Sequence, residues 1–237
     1  MPGTDVNAPP AVGVRPVVRA AARVYRCRFG VVAGAALVVF AVSAGADVLI
    51  EVAGERTSAH VFAPLLIVAG LATFGTTFFA GLLDRIVGEE ERGHPRRPLG
   101  EVLRRLPYWR LIGADVLLAL GALVATIVLI VPGLIFYTYF SLVGPAVVME
   151  DRGVFDAFGR SARLVRGHFW LTFLLVTLPI LVEEDAVHGI VALVGETNAA
   201  VVFVVNVLAG TAVGSVVALV EVTLASRLAV RKPEPAR

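Results

Sequence analysis

The chain has 237 residues, of which 57% are hydrophobic and 17% charged, against about 25% charged in ordinary globular domains. A mean hydropathy of +0.83 means more apolar surface than one small core can bury, which excludes a soluble domain and makes lipid the expected solvent. The net charge of +2 is nearly neutral, and Cys27 is the only cysteine, so an intramolecular disulfide or a cysteine-based metal site is excluded.

Residues 1–14, rich in Pro and Gly, are predicted to be a disordered tail. Arg15, Arg19, Arg23 and Arg26 then recur at helical spacing, with Val17, Ala21, Val24 and Phe29 on another face. The first span is predicted at 29–50. Its 11 Leu, Ile, Val and Phe residues outweigh the cost of Asp47 near its end. The same run ends near an Ala44-Gly45-Ala46 pattern, which leaves a cleaved signal peptide as the rival reading. Asp47 and Glu51, four apart, are read as interfacial.

Further spans are predicted at 61–83, 111–131, 133–149, 166–182 and 199–225, each near the roughly 20 residues that a membrane helix needs. The fifth is the shortest and relies on Arg166 and His168 snorkelling to the interface. Glu183-Glu184-Asp185 is read as its stop. The sequence therefore predicts an all-α protein: one membrane domain, residues 15–230, with six transmembrane helices and a C-terminal tail at 231–237. Segments 1–28, 84–110, 150–168 and 226–237 hold 20 of the 21 cations. By the positive-inside rule they are cytoplasmic, as are both termini, and the chain is expected in the cell membrane.

A basic amphipathic stretch precedes each outward-going span. In the second, Arg97, Glu101, Arg104 and Arg105 oppose Leu99, Val102, Leu106 and Trp109; in the third, Asp156, Arg160 and Arg163 oppose Phe155, Phe158, Ala162, Val165 and Phe169. Each ends in aromatics suited to the headgroup level: Tyr25 and Phe29, Tyr108 and Trp109, Phe169 and Trp170. The pattern suggests three parallel units, each an interfacial helix followed by a helical hairpin. An alternative is that any chain with Arg-rich inner loops looks alike.

Val131-Pro132-Gly133, the Pro145–Glu150 run, then Gly153, Ala157, Ser161 and Arg163-Leu164-Val165-Arg166-Gly167 ahead of Phe169-Trp170 resemble the bacterial glycerophosphoryl diester phosphodiesterase membrane-domain family and its YciC-like relatives. The resemblance implies a multi-span membrane protein connected with lipid or envelope physiology. Only about 12 residues follow the last span, so it does not imply phosphodiesterase activity.

Acids inside a membrane are functional candidates by default. Asp115 and Glu221 lie five and six residues from Arg110 and Arg227, roughly 8–9 Å into the cytoplasmic half. They are expected to line one inward-facing polar cavity or to pair with an interfacial Arg. Arg19, Arg23, Arg104, Arg105, Arg160, Arg163 and Arg166 are candidate ligands for anionic phospholipid headgroups, each contributing about 1 kcal/mol near an anionic leaflet. With these arginines committed to lipid phosphates, nucleic acid is not an expected partner; any protein partner is unspecified. Gly210, Gly214 and Ala218 form a small-residue ridge read as an intramolecular packing seam, and Asn206 is read either as a hydrogen-bonding partner for another helix or as a packing residue. His60, His94, His168 and His188 lack metal-ligand spacing, and no catalytic residue set or cofactor motif is present. The leading expectation is a non-enzymatic membrane protein binding anionic lipid or an envelope-assembly partner. The alternative is a small-solute or lipid transporter or channel with an inward-facing acidic cavity.

Overall fold

The computed structural model describes residues 12–54, 75, 77–90, 99–104, 106–194 and 199–232. The larger part of the predicted 61–83 span, and Arg105, lie outside the described residues. Among the described residues the chain is helical throughout, without strands. Four helices are long and apolar enough to cross a membrane: Phe29–Leu49, Tyr108–Ile127, Ile130–Met149 and Ala199–Arg231. A fifth is added if the pair Val154–Val165 and Phe169–Leu193, bent by 103°, is one span.

Helix α1 (Val14–Cys27) buries the predicted face, Val17, Ala21 and Val24. Its apolar side packs chiefly on the final helix, which takes the place of the lipid interface anticipated for it. Helix α2 (Phe29–Gly54) runs unbroken through Ala44 and Ala46, both buried. Residues 77–90 form α3, whose Phe79, Leu82, Leu83, Ile86 and Val87 join the main core. The short α4 (Leu99–Arg104) follows. Pro107, which cannot donate a backbone bond, stands at the start of α5 (Tyr108–Val128).

Extended Leu129 separates α5 from α6 (Ile130–Phe140). These helices pack extensively on each other, and glycines bring them close. A Cβ on Gly121 would lie 2.4 Å from the Phe136 ring, and one on Gly133 would lie 2.1 Å from Thr126 Oγ1 and 3.0 Å from Thr126 Cα. Helix α7 (Val143–Met149) continues the span after a turn at Ser141 and Leu142.

Helix α8 (Val154–Val165) corrects the amphipathic reading. Its buried stripe is Ala157, Arg160, Ser161, Leu164 and Val165, so Arg160, placed on the polar face by periodicity, turns inward, while Phe155 is 81% exposed. Small residues let α8 sit against the bundle, and Ser161 Oγ donates to the Tyr139 carbonyl at 2.8 Å. Gly167, at φ 88°, supplies the left-handed conformation that turns the chain from α8 into α9 (Phe169–Thr172). A π turn at Phe173–Thr177 leads into α10 (Leu178–Val194). The helix runs through Glu183-Glu184-Asp185, contrary to the stop read there. These acids interrupt hydropathy without interrupting backbone hydrogen bonding, and Glu is a good helix former.

The last span is α11 (Ala199–Ala209), a π turn at Gly210–Gly214 and α12 (Ser215–Arg231). At 33 residues it is about 50 Å long, well beyond a hydrocarbon thickness of about 30 Å. Its far end forms the post against which α1 and α8 pack. Asn206 Nδ2 donates back to the Val202 carbonyl at 2.9 Å, within its own helix and not to a neighbouring one.

Candidate functional site

Asp115 and Glu221, chosen from depth alone, lie on α5 and α12. Both are partly buried and lie within electrostatic reach of each other. Asp115 stands on α5, where its Oδ2 accepts a hydrogen bond from Thr77 Oγ1 of α3 at 2.5 Å. Glu221 stands on α12, two turns beyond the π turn. Tyr137 of α6 lies within electrostatic reach of both acids.

A third acid completes the group. Asp84 lies two turns after Thr77 on α3, and is 1% exposed. Neither of its carboxylate oxygens has a hydrogen-bond partner among the described residues. It feels the charges of Glu221 and Asp115, and the opposing charge of Arg85 beside it. On its other side, Gly144 of α7 leaves room: a Cβ there would come 4.0 Å from Asp84 Oδ2. Four elements thus converge acids, a phenol and a hydroxyl on one region. The sequence reading missed Asp84 because it sits at the end of an apolar run, next to an Arg, where a connector is expected to begin.

The arginine candidates divide. Arg19, Arg23, Arg104, Arg163 and Arg166 are exposed. Arg160 is 4% exposed, and its guanidinium is taken up by protein. Its Nε reaches Glu150 Oε1 and Oε2 at 3.0 and 2.9 Å, and Nη2 reaches Oε1 at 2.9 Å. Nη1 donates to the Lys232 carbonyl at 2.8 Å. Arg160 is therefore not a headgroup ligand: a buried fork with its donors satisfied has nothing left for a phosphate. Arg152 extends the network to Glu150 at 2.6 Å and Asp156 at 2.9 Å.

Lys232, the only lysine, returns the contact. Its Nζ donates to the carbonyls of Arg163 at 3.0 Å, Leu164 at 3.3 Å and Arg166. A cation at these orphan carbonyls complements the helix dipole. Burial, then the Arg160 and Arg166 charges, hold the Lys232 ammonium below its ordinary range. The ends of α8 and α12 are thus latched together from both sides.

The glycine ridge packs within the chain. Phe40 of α2 lies over Gly210 and Gly214, where added Cβ atoms would come within 2.3 and 2.8 Å of its ring, and Ala218 borders the main core. Among the described residues no three His, Cys, Asp or Glu side chains gather in a metal-ligating arrangement.

No curated protein and no solved structure matches the chain. One family model does, over residues 109–231, which carry Asp115, Tyr137, Glu221 and the Glu150–Arg160 pair. That match spans more than half of the sequence, and the chain belongs to the family described as Domain of unknown function (DUF7847).

Proposed function

We propose that this protein is a membrane carrier or channel, not an enzyme, whose pathway for a small cation or cationic solute passes the acids Asp84, Asp115 and Glu221. The observation that carries this reading is Asp84, a buried acid without a hydrogen-bond partner among the described residues and within electrostatic reach of two further acids. An ionisable group costs several kcal/mol to bury unpaired, and inside membranes such residues mark ion and proton pathways. The test is ion flux in proteoliposomes under an imposed pH or salt gradient. Asp115→Asn, Glu221→Gln and Asp84→Asn should each lower flux at least tenfold, with expression and elution volume unchanged. Equal flux in wild type and all three variants, or no flux in wild type, would remove the reading.

The proposed frame is a six-span bundle in the cell membrane with both termini cytoplasmic, organised as three parallel units of interfacial helix and hairpin. It is supported by the placement of 20 of 21 cations on one set of segments. Cys27 offers a direct check, being the sole cysteine and exposed. A membrane-impermeant maleimide should leave it unlabelled in intact cells and label it once the membrane is opened; labelling of intact cells would invert the topology.

A second reading, binding of anionic lipid at the cytoplasmic leaflet, draws on exposed Arg19, Arg23, Arg163 and Arg166 and on Trp109 and Trp170, which are 86% and 77% exposed. It also suits the lipid or envelope setting implied by the resemblance to the phosphodiesterase membrane domains. In the same liposomes it predicts that Arg163→Gln with Arg166→Gln strips co-purifying phosphatidylglycerol and leaves flux unaltered. Lipid retention in that variant would dismiss it.

A further inference from the structure

We infer that Asp84, Glu221 and Asp115 form a proton-binding site, and that the species exchanged there is a proton and not a metal ion. The inference rests on the carrier reading above and names its substrate. Its first ground is charge. Asp115 of α5, Glu221 of α12 and Asp84 of α3 lie within electrostatic reach of one another, with Arg85 as the opposing charge beside Asp84 and the phenol of Tyr137 from α6 within reach of Glu221 and Asp115. Among the described residues, three carboxylates against one guanidinium leave negative charge that a low-dielectric interior does not tolerate. A cation must bind or a carboxylate must take up a proton.

The second ground is donor geometry. A metal ion needs several oxygens around one point, at about 2.0–2.6 Å. The acids are close enough to repel, but among the described residues no three His, Cys, Asp or Glu side chains gather in that way. A proton needs only one oxygen.

The third ground is hydrogen bonding. The Thr77 hydroxyl donates to Asp115 Oδ2, an arrangement that suits Asp115 as the ionised member. Asp84 receives no donor among the described residues. A carboxylate there is an acceptor with nothing to accept from, whereas a carboxylic acid carries its own donor. The proton therefore resides on Asp84 or Glu221, and the acids titrate as one coupled unit. Loading takes a proton from water onto one carboxylate oxygen, and unloading returns it, with no other reactant.

The experiment is infrared difference spectroscopy of the full chain in neutral-lipid liposomes, titrated with pH in H2O and D2O. At neutral pH a protonated-carboxyl stretch that shifts in D2O should be present, should disappear as pH rises, and should be unchanged by added Na+ or Ca2+. It should be lost in Asp84→Asn or Glu221→Gln. Thr77→Val removes no carboxyl; by depriving ionised Asp115 of its donor it should move the titration midpoint up by about one pH unit. Absence of the band at neutral pH, its persistence in both acid variants, or its displacement by Na+ or Ca2+ would overturn the proton site. Flux without the band leaves the carrier reading standing and removes the proton; the band without flux does the reverse.

Discussion

Arg160→Ala should lower the stability of the folded protein by about 3–5 kcal/mol, the usual cost of removing one partner from a buried ion pair. The substitution strips Glu150 of three hydrogen bonds and the Lys232 carbonyl of one. Glu150 is only 20% exposed at its side chain, so water does not readily replace the guanidinium. Arg152 remains on Glu150 but also serves Asp156. In detergent the melting temperature should fall on the order of 10 °C. Pairing Arg160→Met with Glu150→Met should recover most of the loss, because no unpaired charge is then buried. A single variant as stable as wild type would show that the pair contributes nothing.

The second large effect is expected at the α5–α6 hairpin. Gly133→Ala places a methyl group 2.1 Å from Thr126 Oγ1 and 3.0 Å from Thr126 Cα. The second contact is backbone, so the helices must separate, at a cost of about 1–3 kcal/mol or more. Gly210→Ala meets the Phe40 ring at 2.3 Å, which is also severe, but the obstacle is a side chain. The two should therefore respond differently to relief. Phe40→Leu should restore much of the stability lost in Gly210→Ala, whereas Thr126→Ala should restore little of that lost in Gly133→Ala. Thermal unfolding of the four chains checks this, and equal rescue at both sites would refute the backbone argument.

Hydropathy made much of this architecture legible. The predicted 29–50, 111–131, 133–149 and 199–225 segments coincide, within a few residues at most ends, with helices long enough to cross a membrane, because the length of an apolar run is a local property. Depth along a helix is local too, which is why Asp115 and Glu221 could be paired before any contact was known. Azimuth is not. On a helical wheel Arg160 belongs with Asp156 and Arg163 on a polar face, and only the return of Glu150 ten residues earlier explains its burial. Asp84 was hidden for a related reason: an Asp-Arg doublet after an apolar run looks like the start of a loop until packing carries the helix on to residue 90. The π turns leave no hydropathy signal at all, since one wide turn hardly alters a run of apolar residues.

The wide turn at Gly210–Gly214 has a consequence for how the last helix can vary. A π turn is equivalent to one extra residue accommodated inside an α-helix, and one residue corresponds to about 100° of rotation. Upstream of it the helix presents Gly210 to Phe40; downstream it presents Glu221 to Asp84 and Asp115. Closing the turn into regular α geometry with every residue kept would rotate the half beyond it by about 100° and carry Glu221 away from its fellow acids. A single-residue deletion there would instead close the ladder and leave both faces in place. The wide turn therefore sets the phase between the two faces of this helix, and losing one residue inside it disturbs that phase less than straightening it with all residues kept.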